Sequence, residues 1–191
     1  GLMLAQVARF RGAKVKYIHG PLKNEKDITE GIKTYEIENS IDLNNAIEKE
    51  ILKCDYFIMN AAVADFKISG DTSKKIPKNK FENFLNNNIE FVPDILKDIS
   101  QLKKENQIFV GFCAFTGSIK NAKKDIKNKI IYKGCDLLFA NPIDIQEQGF
   151  GPKAKNEGWL FNKTDMENYL EKTSKIELAN NLINQIISTS K

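Results

Sequence analysis

Long apolar runs are missing from this 191-residue sequence, and no stretch approaches the roughly 18 residues of a membrane-spanning helix, so no membrane partner is expected. Cysteine is scarce. Cys54, Cys113 and Cys135 make an odd total without C-x-x-C spacing, which argues against disulfides and zinc and leaves small core residues. A basic block interleaved with aromatics is also absent, since the net charge of +4 is spread among acids and asparagines, and nucleic acid is not expected as a partner. There is no G-x-G-x-x-G and no Walker sequence; "GFCAFTGS" at 111–118 has the wrong spacing and no lysine after the glycine. There is no G-x-S-x-G, and the single histidine, His19, has no evident triad partners and reads as a structural turn residue. No charged, apolar and small-residue leader opens the sequence, so the cytoplasm is the expected compartment.

What is present is the composition of an ordinary globular domain, 41% apolar and 28% charged, in a length that suits one domain with a substantial core. Helical spacing over "LMLAQVARFR" ends at Gly12, and strands are expected at "AKVKYIH" and "KTYEIEN". Ser40 and Asp42 are candidate caps for a helix over "LNNAIEKEILK". Strands at 55–60, "NIEFV", "QIFVGFCA", "CDLLFAN" and "WLFN" alternate with helices after Pro93, over 119–133 and near 175–188. This alternation predicts an α/β, Rossmann-like, doubly wound, mostly parallel sheet in a single domain. Folds of this class normally open with a strand and a glycine-rich turn before the first helix, so the first strand is expected to be missing.

The segment "NAAVADFK" at 60–67 follows the short apolar run Tyr56–Met59, which reads as a strand buried on both faces. Small residues at its carboxyl end would let a ligand lie close to the backbone, in the crevice where open α/β sheets bind ligands. Asp65 is therefore placed like a site residue. The plainer reading is an exposed loop aspartate.

Read in order, "NAAVADF", "KKIPK" at 74–78, "VPDIL" at 92–96, "VGFCAFT" at 110–116 and "YKGCDLLFANP" at 132–142 resemble phosphopantothenoylcysteine synthetase, also called phosphopantothenate cysteine ligase. The bacterial form of that family carries A-A-V-A-D, K-I-x-K, N-P-D-I-L, V-G-F-A-A-E-T and K-x-x-D-x-I-x-A-N. "RGAKVKYIHGP" and "QGFGPKAKNEGWLF" are similar to its second strand and late loop, so the likeness runs from Gly1 to about Phe161. The resemblance implies coenzyme A synthesis: CTP- and Mg2+-dependent joining of 4'-phosphopantothenate to cysteine through an acyl cytidylate. It further implies a cytoplasmic homodimer, fused to or associated with a phosphopantothenoylcysteine decarboxylase domain. Residues 1–191 would be the ligase domain without its amino-terminal strand and glycine-rich turn, and for that reason a poor or inactive ligase by itself.

By the same resemblance Lys75 is the catalytic lysine of acyl cytidylate turnover, and Met59, Asn60, Ala61, Asp65, Pro93, Asp94, Ile95, Leu96, Phe112, Lys129 and Lys133 are nucleotide-binding; no metal ligands are assigned. The chemistry is compatible with these roles. A carboxylate attacking an α-phosphate gathers negative charge that prepositioned lysines and a divalent cation stabilise. Lys129 and Lys133, four apart on a helix, share one face, although such pairs also occur on solvated faces. The first turn after Pro93 offers backbone N–H groups to a ligand, and Phe112 offers a ring for the base or for the core. The sequence departs from the family at Phe115, where the pattern has glutamate, at Val92 and at Pro77. Two rival readings are a non-catalytic nucleotide binder and a short-chain NAD(P) reductase; the latter needs Y-x-x-x-K, and no tyrosine here has lysine four residues on.

Overall fold

The structure is a computed structural model, described here for residues 1–22, 28–69, 75–145, 155–164 and 167–189. The chain order is α1 (Leu2–Phe10), β1 (Lys16–His19), β2 (Lys33–Glu36), α2 (Ser40–Glu50), β3 (Tyr56–Met59), β4 (Phe66–Ile68), α3 (Phe81–Asn88), β5 (Ile89–Phe91), α4 (Ile95–Ser100), β6 (Ile108–Phe115), α5 (Ile119–Lys133), β7 (Leu137–Pro142), β8 (Asn156–Asn162), β9 (Glu167–Thr173) and α6 (Lys175–Thr189).

Strands β3, β6, β7, β8 and β9 form the main sheet in that order; β3, β6 and β7 are parallel, and β8 and β9 each run antiparallel to the strand before. Strands β1 and β2 pair in parallel as a separate two-stranded sheet. Both pieces lie on one core, because Ile18 and Ile37 from the first and Phe57 and Met59 from the second pack with Leu43 and Ile47 of α2. The start of α1 bridges them: a Cβ on Gly1 would stand 3.0 Å from Asn60 Oδ1 and 3.2 Å from the Tyr17 hydroxyl.

The sheet is wound on both sides, as the alternation of elements predicts. Strand periodicity puts Phe109, Leu138, Ala140 and Phe161 on one face, under Ile95 and Ile99 of α4 and Ile126 and Ile130 of α5. Val110, Leu137, Phe139 and Leu160 face Leu178, Leu182 and Ile186 of α6, against whose other side Val7 of α1 packs. No helix among the described residues is long and apolar enough to cross a membrane.

Several local expectations change. The cap of α2 is Asn39, whose side chain accepts from the N–H groups of Ile41 and Asp42, instead of Ser40 or Asp42. β3 is an edge strand of its sheet and only partly buried, with Phe57 and Met59 packed on one face and Ile58 on the other. The polar segment "KISGDTSKKIPKNK" at 67–80 reads as a loop, but its first two residues belong to β4, the unassigned stretch after it forms α3, and β4 pairs with β5 in an antiparallel arm. Part of that loop, 70–74, and 146–154 of the expected late loop lie outside the described residues.

Candidate functional site

The carboxyl end of β3 and the loop after it carry four of the candidates, Met59, Asn60, Ala61 and Asp65. β3 ends at Met59, paired with Gly111 of β6, and the exposed Asn60 and Ala61 follow. Val63 dips back into the core, which pins the segment and leaves Asp65 exposed, its carbonyl accepting the Val92 N–H at 2.9 Å. The loops after β6 and β7 are tied together: Ile143 N–H donates to Phe115 O at 3.1 Å, and Gly117 N–H donates to Asp144 Oδ2 at 2.7 Å. Gly117 has φ +74°, a conformation glycine adopts without the strain a side chain would bring. Ser118 then caps α5 by accepting the Asn121 N–H at 3.4 Å. The sequence reading passed over the Gly117–Asp144 tie, and its signal was the "TGS" turn before a helix.

Pro93 is exposed and leads into α4, but the N-cap is Asp94. Its Oδ1 accepts the Lys97 N–H at 3.2 Å, and its Oδ2 pairs with Lys133 Nζ at 2.5 Å. A carboxylate of the chain thus sits at the helix start where a ligand anion was expected. The side chains of Ile95 and Leu96 are buried in the core, with Leu96 Cδ2 against Gly111, so only their backbone is available to a ligand.

Lys129 and Lys133 lie about one turn apart near the end of α5, next to its buried residues Ile126 and Ile130. Burial pushes the Cys113 thiol pKa up, and the positive fields of Lys129 and Lys133 draw it partly back. Lys133 is half-buried and paired with Asp94, whereas Lys129 is exposed. Lys97 lies 4.3 Å from the centre of the Tyr132 ring and ties α4 to α5 beside them.

Two candidates stand apart from this group. Phe112 points to the opposite face of the sheet, where its ring is 5.4 Å from that of Phe139 in the layer under α6. Strand alternation requires this, because Cys113 and Phe112 are neighbours in β6. Lys75 lines an open cleft of ≈ 390 Å³ on the arm with Ile76, Pro77, Lys80, Asn83, Phe84, Asn87 and Asn88. Phe115, at the end of β6, packs edge-on to Trp159 at 5.8 Å and fills with a ring the position where a carboxylate was expected. His19 is buried and stacked on Tyr17 at 4.9 Å, with Nδ1 2.6 Å from Gly20 O, in agreement with a structural role.

A sheet wound by helices on both faces, with small residues after the end of β3, defines a Rossmann-like α/β protein. Over residues 1–189 the sequence matches the model for the DNA/pantothenate metabolism flavoprotein C-terminal domain, and the chain belongs to that family. It is 35% identical over 185 residues to the coenzyme A biosynthesis bifunctional protein CoaBC of Borreliella burgdorferi, covering 96% of this chain and 44% of that protein. The chain spans about half the length of the curated relatives it matches. Among solved structures, the C-terminal domain of a CoaBC protein superimposes with a TM-score of 0.74 at 25% identity, over 99% of this chain and 82% of that one. A Cab2 mutant in complex with phosphopantothenate-cysteine shares the fold, with a TM-score of 0.66 at 11% identity over 100% of this chain and 76% of that one.

Proposed function

We propose that the chain is the phosphopantothenate cysteine ligase domain of a coenzyme A biosynthesis enzyme. The observation that carries this reading is the pairing of Asp94 with Lys133, one helical turn from Lys129, in a chain of this family that also has "NAAVADF" at the end of β3. In the reaction we assign, the carboxylate of 4'-phosphopantothenate attacks the α-phosphate of CTP, a carbon-linked oxygen to phosphorus bond forms, and pyrophosphate leaves. The amine of cysteine then attacks the acyl carbon, the acyl–oxygen bond breaks, and CMP is released with the new amide. Lys129 and Lys133 stabilise charge on the triphosphate. Lys75 comes from the arm to act on the acyl cytidylate. Mg2+ enters with the nucleotide, since this ion keeps several waters and takes phosphate oxygens with few protein carboxylates. Met59 to Ala61 and Asp65 meet the nucleoside through backbone and small side chains, while Phe112 acts through the layer beneath the sheet.

We assign self-association to the arm, whose Phe66, Phe81, Phe91, Ile68 and Ile89 are exposed, because apolar patches of this kind mark interfaces. Together with the family resemblance, this makes a cytoplasmic homodimer with a linked decarboxylase domain the assembly we propose. The packing of Phe115 on Trp159 favours a second reading, a nucleotide binder without turnover. Incubation of the full-length protein with CTP, Mg2+, 4'-phosphopantothenate and cysteine decides between them. The ligase reading expects amide product with stoichiometric CMP and pyrophosphate; CTP binding without product would support the binder, and preference for NADH over CTP would overturn both.

A further inference from the structure

We propose that Asp94 is a positioning residue, an internal counter-ion that holds the Lys133 ammonium in place for the polyphosphate of a bound nucleotide without touching that nucleotide itself. The proposal rests on the ligase reading for the identity of the nucleotide.

Both Asp94 oxygens are already committed inside the protein, one to the Lys97 N–H at 3.2 Å and the other to Lys133 Nζ at 2.5 Å. The pair is sheltered, with side-chain exposures of 32% for Lys133 and 25% for Asp94, so solvent screens it only in part. The surrounding frame is stiff. Lys133 is the last residue of α5, and Gly134 follows in a left-handed cap at φ +67°, where a Cβ would stand 2.4 Å from Ser100 Oγ at the end of α4. The ends of α4 and α5 are therefore in close contact, and the Lys97–Tyr132 contact joins the two helices again. Asp94 and Lys133 close this frame at the crevice side.

The two lysines that share a helix face are consequently unequal. Lys129 is exposed and has no ion pair among the described residues, so it attracts an anion as a mobile charge. Lys133 is held at one point. An ammonium has three N–H donors; Asp94 takes one and leaves two for phosphate oxygens. A cation fixed before reaction needs no reorganisation when charge develops, so its advantage falls on the transition state more than on ground-state binding. A bare carboxylate facing a triphosphate would repel it, which is why Asp94 acts through Lys133.

Asp94→Asn separates these roles, because asparagine caps a helix as well as aspartate does and only the charge is lost. The expected result is a kcat lower by about tenfold or more with CTP affinity unchanged or tighter, since local positive charge rises by one. Weaker CTP binding at unchanged kcat would make Asp94 a direct ligand and overturn the proposal, as would no change in either. A second measurement does not depend on turnover: 13C reductive methylation with NMR, the Lys133 signal being assigned through Lys133→Arg. In wild-type protein CTP must shift that signal, and Asp94→Asn must shift it without CTP. A signal that ignores Asp94→Asn overturns the positioning claim, whereas both shifts together with wild-type protein that makes no amide count against the ligase reading alone.

Discussion

Asp136 and Phe109 hold each other by two reciprocal bonds: Phe109 N–H donates to Asp136 Oδ2 at 2.7 Å, and Asp136 N–H donates to Phe109 O at 2.8 Å. The other carboxylate oxygen lies 2.5 Å from Lys103 Nζ and 3.5 Å from Lys163 Nζ. One side chain thus fastens the start of β7 to β6 and gathers charges from the chain before β6 and after β8. Asp136→Ala leaves the Phe109 N–H and two cations unmatched and should cost about 2–3 kcal/mol, the scale of a lost charged hydrogen bond with a stranded donor. Urea denaturation measures it, and a loss under about 0.5 kcal/mol would contradict the assignment.

Gly158 lies in β8, the antiparallel neighbour of β7, at the register shift against β9, and a Cβ there would stand 2.4 Å from Phe139 Cζ and 2.5 Å from Ala140 O. Gly158→Ala should destabilise the protein by about 1–3 kcal/mol, the usual penalty of overpacking. A second substitution, Phe139→Leu, removes the ring but leaves the backbone carbonyl. It should therefore rescue Gly158→Ala only in part, and full rescue in a double-mutant cycle would show that the carbonyl contact does not matter.

Much of this framework was legible where local signals agreed with burial. The helix expected over 119–133 is α5, because Ser118 caps its start, Gly134 ends it in the left-handed region, and Ile126 and Ile130 supply a buried stripe. The arm was legible only in part: "NIEFV" was expected as a strand and is β5, whereas every residue of β4 is exposed, so that strand shows none of the alternation that burial on one face imprints. β9 was missed for a related reason, since Leu170 is its one buried residue and its neighbours are polar. In the candidate site, the spacing of Lys129 and Lys133 put both on one face. Their inequality depends on Asp94, which is distant in sequence and reaches Lys133 only through the packing of α4 on α5. The face of Phe112 could have been read from the parity of β6 once α5 was placed.

Glu50 gives the β1–β2 sheet a pH dependence. Its carboxyl is held down to about 2, first by the hydrogen bond from Lys16 and then by that from the Tyr35 hydroxyl at 2.5 Å. A folded-state value below the ordinary 4.5 means that the ionised form is favoured by folding, so this contribution is complete above pH 4.5 and fades as pH falls toward 2. Wild-type protein should lose stability more steeply than Glu50→Gln across that interval, and the two curves should differ most above it. Parallel curves between pH 5 and 2.5 in chemical denaturation would remove Glu50 from the account.

Lys75 is exposed in the cleft on the arm, in the company of Lys80 and outside the group formed by Asp94, Lys129 and Lys133. That separation allows a clear division of labour. The mobile Lys129 should bear mainly on CTP affinity, whereas Lys75, acting like the fixed Lys133 on charge that develops during the reaction, should bear on turnover. Lys75→Gln keeps the length and polarity of the side chain while removing its charge, and an exposed position makes a folding defect a poor explanation for any loss. With CTP, 4'-phosphopantothenate and cysteine saturating, kcat should fall by about 100-fold, on the scale of losing one charged transition-state contact, while the Kd for CTP changes by less than about threefold. Lys80→Gln, in the same cleft, should leave both quantities near the wild-type values, because the role assigned to Lys75 is specific to that side chain. Unchanged kcat in Lys75→Gln would remove Lys75 from the chemistry, and equal losses in the two variants would reduce its part to the general charge of the arm.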